Sequence, residues 1–585
     1  MARRRATSTD GDAALKRRDF LKAAGLGVGA VAAAAPALEA APRRTFPAVS
    51  PPSSRVVVIG AGAFGGWTAY HLRKNHGVHV TLVDAYGPGN SHATSGDESR
   101  GVRSSYGDKA APVGELWSAW ARRAMHLWPA FDREWGHDLK SQMYWKTGDL
   151  FMRSDWEPSI KRTREIWEKA KVPFEVLTPD ECRYRWPQIN IEDINSILYE
   201  PDAGVVRARR ATQAVASIVT RALGVKLIIS RAKPGPIVDG KMTEVTLLNG
   251  DKLHADAFVW ACGPWLMKTF PELLGNRMRI PLGQVAYYGT PTGSDRFTFP
   301  NMPSYNFPGV TGWVALPEDS RGFRVRGTES AARPPAGAGG AAGAAGAAGA
   351  AGAANGRGAA NAGAPPAGAP PAAAPPAGRG AAPPAGAATR ADSAAGRGAA
   401  GAGAAGAAGG ANAPARPPAD PAQNDPDTSV RWFDINANTR QREFITHRFP
   451  DMKNAPVLET RCCHYEGTSS RNFMIDLMPD TSNVWIAGGG NSEAFKSGPV
   501  IGEYVAHRIV GIHGDPEIAK GFLIPKDEFA ANDPNGRGGR GAAADTTGRG
   551  GRGGGRAGTD TTGRGGRGGG GGGGSVDDQI DYDAY

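Results

Sequence analysis

The hydrophobic pattern near residue 55 predicts an α/β start to the folded chain. Residues 55–59 form a short, continuous run of β-branched side chains, which is typical of a strand buried on both faces of a parallel sheet. Residues 67–74 then predict a helix, and residues 79–83 predict a second strand that ends at Asp84. A strand, a helix and a second strand in this order predict one βαβ unit.

The far end of the chain repeats this pattern. Residues 484–487 predict another apolar strand, which runs into three consecutive glycines. A helix is predicted to begin near Gly498, with Ile501, Tyr504 and Val505 on its inward face. The N-terminal dipole of this helix could stabilise negative charge on a bound group. A further helix is predicted to open at residues 425–428, where aspartates offer caps.

The loop after the first strand carries a glycine pattern, Gly-Ala-Gly-Ala-Phe-Gly at residues 60–65. Gly60 suits a tight turn, Gly62 lets the backbone approach a pyrophosphate, and Gly65 allows close packing of helix on strand. The helix N-terminus offers free N–H groups to phosphate, and Asp84 can accept a ribose hydroxyl. The unit therefore predicts a dinucleotide site, for either NAD or FAD.

Composition divides the 585 residues into four parts. The 82 glycines and 45 prolines are concentrated in an Ala/Gly/Pro-rich segment, 331–424, and a Gly/Arg-rich tail, 531–585. Neither composition can build a core, so both are predicted to be disordered. Residues 45–330 and 425–530 remain, which suffices for one two-lobed globular unit.

The charge argues against nucleic-acid binding by the folded part. Of the net +11, residues 1–44 carry +5 and residues 331–424 carry +4, while the tail is neutral, so the globular remainder carries only +2. Repeated Gly-Arg motifs in the tail can bind RNA in other settings, but here aspartates balance them. Four cysteines are too few for a disulfide scaffold, and no metal is expected.

The first 44 residues predict an export signal. Lys16, Arg17 and Arg18 precede a weakly apolar run, which Pro36 and small residues follow. The arginine pair is typical of the twin-arginine type, which predicts a periplasmic or extracellular protein. The alternative, a transmembrane anchor, is disfavoured because the run is short of about 20 residues and rich in Ala and Gly.

Five stretches together resemble the D-amino-acid-oxidase-like superfamily, closest to the branch of monomeric sarcosine oxidase and N-methyltryptophan oxidase. In chain order they are 89–103 (GNSHATSGDESRGVR), 201–206 (PDAGVV), 257–265 (AFVWACGPW), 463–476 (CHYEGTSSRNFMID) and 487–503 (AGGGNSEAFKSGPVIGE). The resemblance favours FAD over NAD. It implies a Rossmann-like FAD-binding lobe built from both ends of the globular chain, and a substrate lobe with a mixed or antiparallel sheet, α/β or α+β overall.

The resemblance also implies roles for particular residues. Arg103 and Lys496 match the family's clamp for a substrate carboxylate, a task that suits a guanidinium fork or an ammonium. Arg100 matches an arginine beside the flavin ring. The alternative for each is a solvated surface charge. The predicted cofactor contacts are Gly60, Gly62, Phe64, Gly65, Asp84, Ser99, Arg100, Val206, Gly263, Trp265, Cys463, Gly490 and Lys496.

Cys463 stands ten residues before Phe473, the spacing at which the branch carries a cysteine joined to flavin by a thioether. The resemblance thus implies covalent FAD; a buried thiol or a disulfide with Cys462 are the alternatives. Tyr465 would point to the same side of a strand as Cys463, which fits the substrate-pocket tyrosine of the family. Ordinary packing is the alternative.

One position departs from the branch. Where the family has a lysine thought to activate dioxygen, this chain has Arg324. Arginine stays positive but does not give up a proton as lysine can. The expected activity is oxidation of an amino acid or a secondary or tertiary amine, with dioxygen as electron acceptor. The alternatives are a dehydrogenase that uses another acceptor, and a flavin-retaining binding protein.

Overall fold

The apolar run at residues 55–59 forms a central strand, Arg55–Ile59, whose side chains are buried on both faces of a sheet. Val56 and Val58 belong to one core cluster, whereas Val57 and Ile59 belong to another. Successive side chains of a strand point to opposite faces, so the strand is covered on both sides, as a parallel sheet requires.

The computed structural model describes residues 53–317, 321–327 and 425–529, and all of them belong to one compact unit. The predicted export signal in 1–44, the Ala/Gly/Pro-rich insert in 331–424 and the Gly/Arg-rich tail in 531–585 lie outside the described residues. Those three expectations therefore stay predictions.

The strands of the described residues are numbered in chain order: β1 Arg55–Ile59, β2 His79–Asp84, β3 Arg100–Val102, β4 Tyr144–Trp145, β5 Asp149–Arg153, β6 Glu175–Leu177, β7 Ser196–Glu200, β8 Gly204–Val206, β9 Lys226–Ile229, β10 Ala232–Pro234, β11 Ile237–Val238, β12 Lys241–Met242, β13 Glu244–Leu247, β14 Lys252–His254, β15 Ala257–Trp260, β16 Met278–Arg279, β17 Leu282–Tyr288, β18 Ser304–Phe307, β19 Val310–Trp313, β20 Phe323–Gly327, β21 Val457–His464, β22 Gly467–Thr468, β23 Met474–Leu477 and β24 Val484–Gly488. The helices are Ala63–His76, Val113–Leu139, Pro158–Lys169, Pro179–Arg185, Ala208–Arg221, Leu266–Thr269, Pro271–Leu274, Ile435–Arg448, Gly498–Ile509 and Pro516–Gly521. Within the described ranges, no helix is both long enough and apolar enough to cross a membrane.

A six-stranded sheet carries the predicted βαβ unit. Its strand order is β23-β24-β15-β1-β2-β9, and all pairs are parallel except β23 with β24. Because parallel strands end at the same edge, the segments after β1, β2, β15 and β24 meet there. Ligands of open parallel sheets bind at this edge.

A second, eight-stranded sheet is mixed. Its order is β21-β17-β20-β19-β18-β5-β7-β6; β18 pairs with β5 in parallel, and the other neighbours are antiparallel. Strand β21 brings the cysteine pair beside β17. A Rossmann-like sheet together with a mixed sheet confirms the fold class that the sequence predicts.

Two local predictions needed correction. The first helix spans Ala63–His76 rather than 67–74: it begins directly after Gly62, so the last residues of the glycine loop form its first turn. The helix predicted to open at 425–428 is wrong. That segment is a turn, and the helix begins at Ile435, capped by Asp434, whose Oδ1 accepts from the Asn436 N–H at 2.9 Å.

Candidate functional site

A cavity of about 700 Å³ lies at the carboxyl edge of the six-stranded sheet. Gly60, Gly62 and Asp84 line one part of it, and Gly490 and Phe495, from the other end of the folded chain, line the same cavity. The volume falls within the usual range for small-molecule and cofactor sites. Two segments more than 400 residues apart thus share one pocket.

The glycine loop has the close backbone contacts that its spacing predicts. Gly60 has φ +105°, and a Cβ there would lie 2.2 Å from the carbonyl oxygen of Ala261 on the neighbouring strand. A Cβ at Gly65 would lie 1.9 Å from the carbonyl oxygen of Gly60. Gly62 faces the cavity. The glycines therefore let the helix N-terminus stand close to both the sheet and the cavity.

Asp84 organises the loop beneath the cavity. Its Oδ2 accepts from the Ala61 N–H at 2.7 Å, and its Oδ1 accepts from the N–H groups of Tyr86 at 3.0 Å and Gly87 at 2.8 Å. A carboxylate has about four lone-pair positions, so one remains for a hydroxyl presented from the cavity. Asp84 therefore supports the loop and can also bind a ligand.

Strand β21 directs one of two adjacent cysteines into the cavity. Cys463 and Tyr465 line it, and Cys462 does not, as the alternation of side chains on a strand requires. Cys462 and Cys463 are both free thiols. The structure therefore contains no disulfide between them.

A buried carboxylate, Asp97, gathers the arginines on the cavity wall. Its Oδ2 forms ion pairs with Arg100 and with Arg324, the latter at 3.0 Å. Tyr287 donates its hydroxyl to Oδ1 at 2.9 Å. Burial lowers the pKa of the Arg100 guanidinium to about 10. Arg324 also stacks on Trp313, 4.2 Å from the ring centroid.

The structure brings most of the predicted site residues together around this cavity. Those that line it are Gly60, Gly62, Phe64, Asp84, Arg100, Gly263, Trp265, Arg324, Cys463, Tyr465 and Gly490. Those that do not are Gly65, Ser99, Arg103, Val206 and Lys496. Gly65 and Val206 act through the backbone behind the wall, where Val206 pairs with Arg100 across β8 and β3. Ser99 accepts a hydrogen bond from the Trp313 indole at 2.8 Å.

The predicted carboxylate clamp is placed differently from the expectation. Lys496 is buried and forms an ion pair with Glu493, whose carboxylate lines the cavity in its place. The nearest carboxylate oxygen to the Arg103 Nε is that of Asp149, at 4.0 Å. Neither cation lines the cavity, and the Arg103 Nε is buried without a hydrogen-bond partner among the described residues.

Eight charged residues on the cavity wall were missed by the sequence analysis: Asp97, Arg231, Lys233, Lys268, Arg326, Asp427, Glu466 and Glu493. Arg326 was detectable, since it stands two residues after Arg324 on a strand and shares its face. Asp97 and Glu493 lie inside two of the five stretches that resemble the family, 89–103 and 487–503, but no role was predicted for either. Asp427 accepts from the Trp265 indole at 2.8 Å and from the Tyr86 hydroxyl at 2.6 Å; its sequence neighbourhood gives no such signal.

Comparison with known proteins agrees with this geometry. Residues 55–359, just over half of the chain, match the family described as FAD dependent oxidoreductase. The chain belongs to this family. The resemblance drawn from the sequence motifs is thereby confirmed.

Relatives of this FAD-dependent oxidoreductase are distant. It is 26% identical to monomeric sarcosine oxidase of Bacillus sp. (strain B-0618) over 228 residues. These residues make up 39% of this chain and 55% of that protein. It is 23% identical over 219 residues to N-methyl-L-tryptophan oxidase of Yersinia pestis (strain Pestoides F), 37% of this chain and 56% of that protein. The chain thus spans about half the length of the curated relatives it matches. Among solved structures, L-proline dehydrogenase from P. horikoshii superposes with a TM-score of 0.55 at 17% identity, over 80% of this chain and 99% of that one, which shows the fold.

The residues of this FAD-dependent oxidoreductase fit FAD. The glycine loop and helix N-terminus suit its pyrophosphate, and Asp84 has a free position for its ribose. At the other end, Arg324 keeps two buried nitrogens, Nε and Nη1, without a hydrogen-bond partner among the described residues. Buried donors of this kind require an acceptor, and a polar ring edge in the cavity would supply one.

Proposed function

We propose that this FAD-dependent oxidoreductase oxidises the C–N bond of an amino acid or of a secondary or tertiary amine. The observation that carries the proposal is the single cavity that joins the glycine loop to the wall bearing Cys463 and Tyr465. Bound at the glycine loop and this wall, FAD would supply the hydride acceptor for the carbon beside the substrate nitrogen, and the resulting imine would be hydrolysed by water. The sarcosine and N-methyltryptophan oxidases among the relatives support the substrate class.

In this proposal the side chains position the substrate and exclude water. No strong acid or base is needed if the amine binds neutral, so orientation and electrostatics supply the acceleration. Tyr465 and Phe495 form aromatic walls of the cavity. Export by the twin-arginine route belongs to the same proposal and rests on the Arg17-Arg18 motif alone.

The reaction is tested by mixing the purified full-length protein anaerobically with N-methyl and cyclic amino acids and with their decarboxylated amines. We expect a yellow protein whose flavin absorbance is lost with at least one of these compounds. A protein that purifies without flavin, or whose flavin is bleached by none of them, contradicts the proposal.

The electron acceptor is a separate question, and Arg324 favours one answer. Its guanidinium is held by Asp97 and stacked on Trp313, in the place where the family's oxidases are expected to carry a lysine. A fixed, permanently protonated group does not donate a proton as lysine can, which favours a dehydrogenase. Reduction of an artificial dye with little peroxide formed in air would support this second candidate; stoichiometric peroxide would support an oxidase.

We further propose that Cys463 joins the flavin through a thioether: the thiol S–H and one flavin C–H are lost, the flavin ring takes up the two electrons, and the acceptor that serves turnover reoxidises it. The sulfur lies on the cavity wall, and its neighbour Cys462 does not, so the pair offers a matched test. Wild-type protein and Cys462→Ser are expected to keep their yellow colour on the polypeptide after acid precipitation, whereas Cys463→Ser releases it into the supernatant. Release of flavin from the wild type would contradict covalent attachment.

A further inference from the structure

The predicted clamp lysine already has partners inside the protein. The Lys496 ammonium donates to the Tyr106 hydroxyl at 2.6 Å and forms an ion pair with Glu493. Tyr106 in turn donates its hydroxyl to the same Glu493 oxygen at 3.1 Å. Because only 4% of the Lys496 side chain is exposed, it has little room for an additional ligand.

Glu493 also presents a negative charge to the cavity. Burial alone would raise the pKa of its carboxyl, but Lys496 and Arg103 outweigh burial and hold that pKa well below its usual range. Glu493 is therefore ionised at neutral pH. A substrate carboxylate that approached Lys496 from the cavity would meet this like charge first.

Arg326 has a different environment. It lies on β20 two residues after Arg324, so both side chains share a face, and both line the cavity. Arg324 is paired with Asp97. In the described part of the chain, the Arg326 side chain forms no hydrogen bond and no ion pair; its guanidinium carbon lies 5.7 Å from the centroid of the Tyr465 ring. The charge of Glu493 acts on Arg326 from a distance but forms no ion pair with it, and a half-buried guanidinium without an ion-pair partner is costly unless an anion binds it.

Tyr465 adds a second free donor beside this arginine. Its ring packs over Gly283, where a Cβ would lie 3.3 Å from two ring carbons, so the position of the ring is restricted. Among the described residues its hydroxyl has no hydrogen-bond partner. A guanidinium and a phenol that neighbour each other on one cavity wall form a set of donors for a carboxylate.

We infer that Arg326, assisted by the Tyr465 hydroxyl, binds the carboxylate of the substrate in place of Arg103 and Lys496. The inference rests on the proposed function and names its substrate class: an N-substituted or cyclic amino acid with a free carboxylate. The guanidinium fork donates to both carboxylate oxygens, and Glu493 disfavours carboxylate binding at Lys496. Substrate selectivity of this chain is thus assigned to a residue outside the predicted clamp.

The test is titration of the full-length holoenzyme with propionate, a carboxylate that has no amine to oxidise, followed by the change in flavin absorbance. Propionamide is the neutral control. Arg326→Met is expected to weaken propionate binding about 10- to 100-fold, with propionamide unaffected. Arg326→Lys is expected to recover part of the loss, and Tyr465→Phe to cause a smaller one. The double variant Lys496→Met/Glu493→Gln, which removes this ion pair as a whole, is expected to change the Kd for propionate less than about threefold.

Three results would overturn the inference. The first is unchanged propionate binding in Arg326→Met and Arg326→Lys. The second is a loss in Lys496→Met/Glu493→Gln as large as that expected for Arg326→Met. The third is loss of flavin from Arg326→Met while Arg326→Lys retains its flavin. That result would show that Arg326 binds the cofactor and not the substrate. Failure of the proposed function is distinguishable, since a flavoprotein that no amine bleaches still reports propionate binding.

Discussion

Gly65→Ala is expected to abolish FAD binding. The added Cβ would lie 1.9 Å from the carbonyl oxygen of Gly60, far inside any allowed contact. Gly60 cannot yield, because its own Cα already stands against the Ala261 carbonyl and its φ of +105° suits glycine alone. The helix must therefore move away from the sheet, at a cost of about 3 kcal/mol. The ratio of flavin to protein absorbance after purification measures the loss.

The adjacent glycine gives a matched control for this prediction. Gly66 lies in the same helix, and a Cβ there would meet its nearest atom at 3.6 Å, an ordinary contact. Gly66→Ala should therefore retain flavin and raise the stability by roughly 0.5–1 kcal/mol, because alanine favours a helix interior. Equal flavin content in the two variants would show that close approach at Gly65 does not govern cofactor binding.

Asp97→Asn is expected to destabilise the protein by about 3–5 kcal/mol. The amide keeps the shape of the side chain but removes the charge that Arg100 and Arg324 share. Both guanidinium groups would then remain on the cavity wall beside each other without that carboxylate. Burial already lowers the pKa of both arginines, and because arginine does not lose its proton in proteins, the repulsion between them would not be relieved in that way. The midpoint of urea unfolding, followed by tryptophan fluorescence, measures the effect.

Asp202→Asn is the control for charge removal at the surface. Asp202 forms an ion pair with Lys146, and these side chains are 37% and 61% exposed. Pairs of this kind contribute about 0–1 kcal/mol. If Asp97→Asn shifts the unfolding midpoint no more than Asp202→Asn does, the buried cluster is not a source of stability and its role must be sought elsewhere.

Local pattern was sufficient wherever neighbouring residues decide the structure. The strand Arg55–Ile59 has the predicted bounds, and Asp84 ends the second strand as expected. The helix Gly498–Ile509 also begins where its Gly-Pro signal predicts. These elements follow from periodicity, glycine geometry and helix-start chemistry, which act over a few residues.

Local pattern failed where a side chain had a choice of distant partners. The pattern at Asp425 and Asp427 predicted the start of a helix. In the structure both carboxylates instead form ion pairs with Lys268, and Asp427 also accepts a hydrogen bond from the Trp265 indole. The clamp role of Arg103 and Lys496 stays a prediction, but the surroundings of Lys496 could not be predicted from the pattern: Glu493, three residues before it, was not recognised as its ion-pair partner. The free energy of a buried charge depends on what surrounds it in three dimensions.

The sequence by itself determined the nucleotide-binding unit and the family, since both depend on short-range spacing of glycines, apolar residues and one acid. Only the tertiary structure decided which charges face the cavity. Arg103, Arg326 and Lys496 are equally basic in the sequence, and folding places carboxylates beside two of them. The physical reason is that burial makes an unpaired charge costly, so the three-dimensional arrangement of carboxylates selects which cation remains available to a ligand.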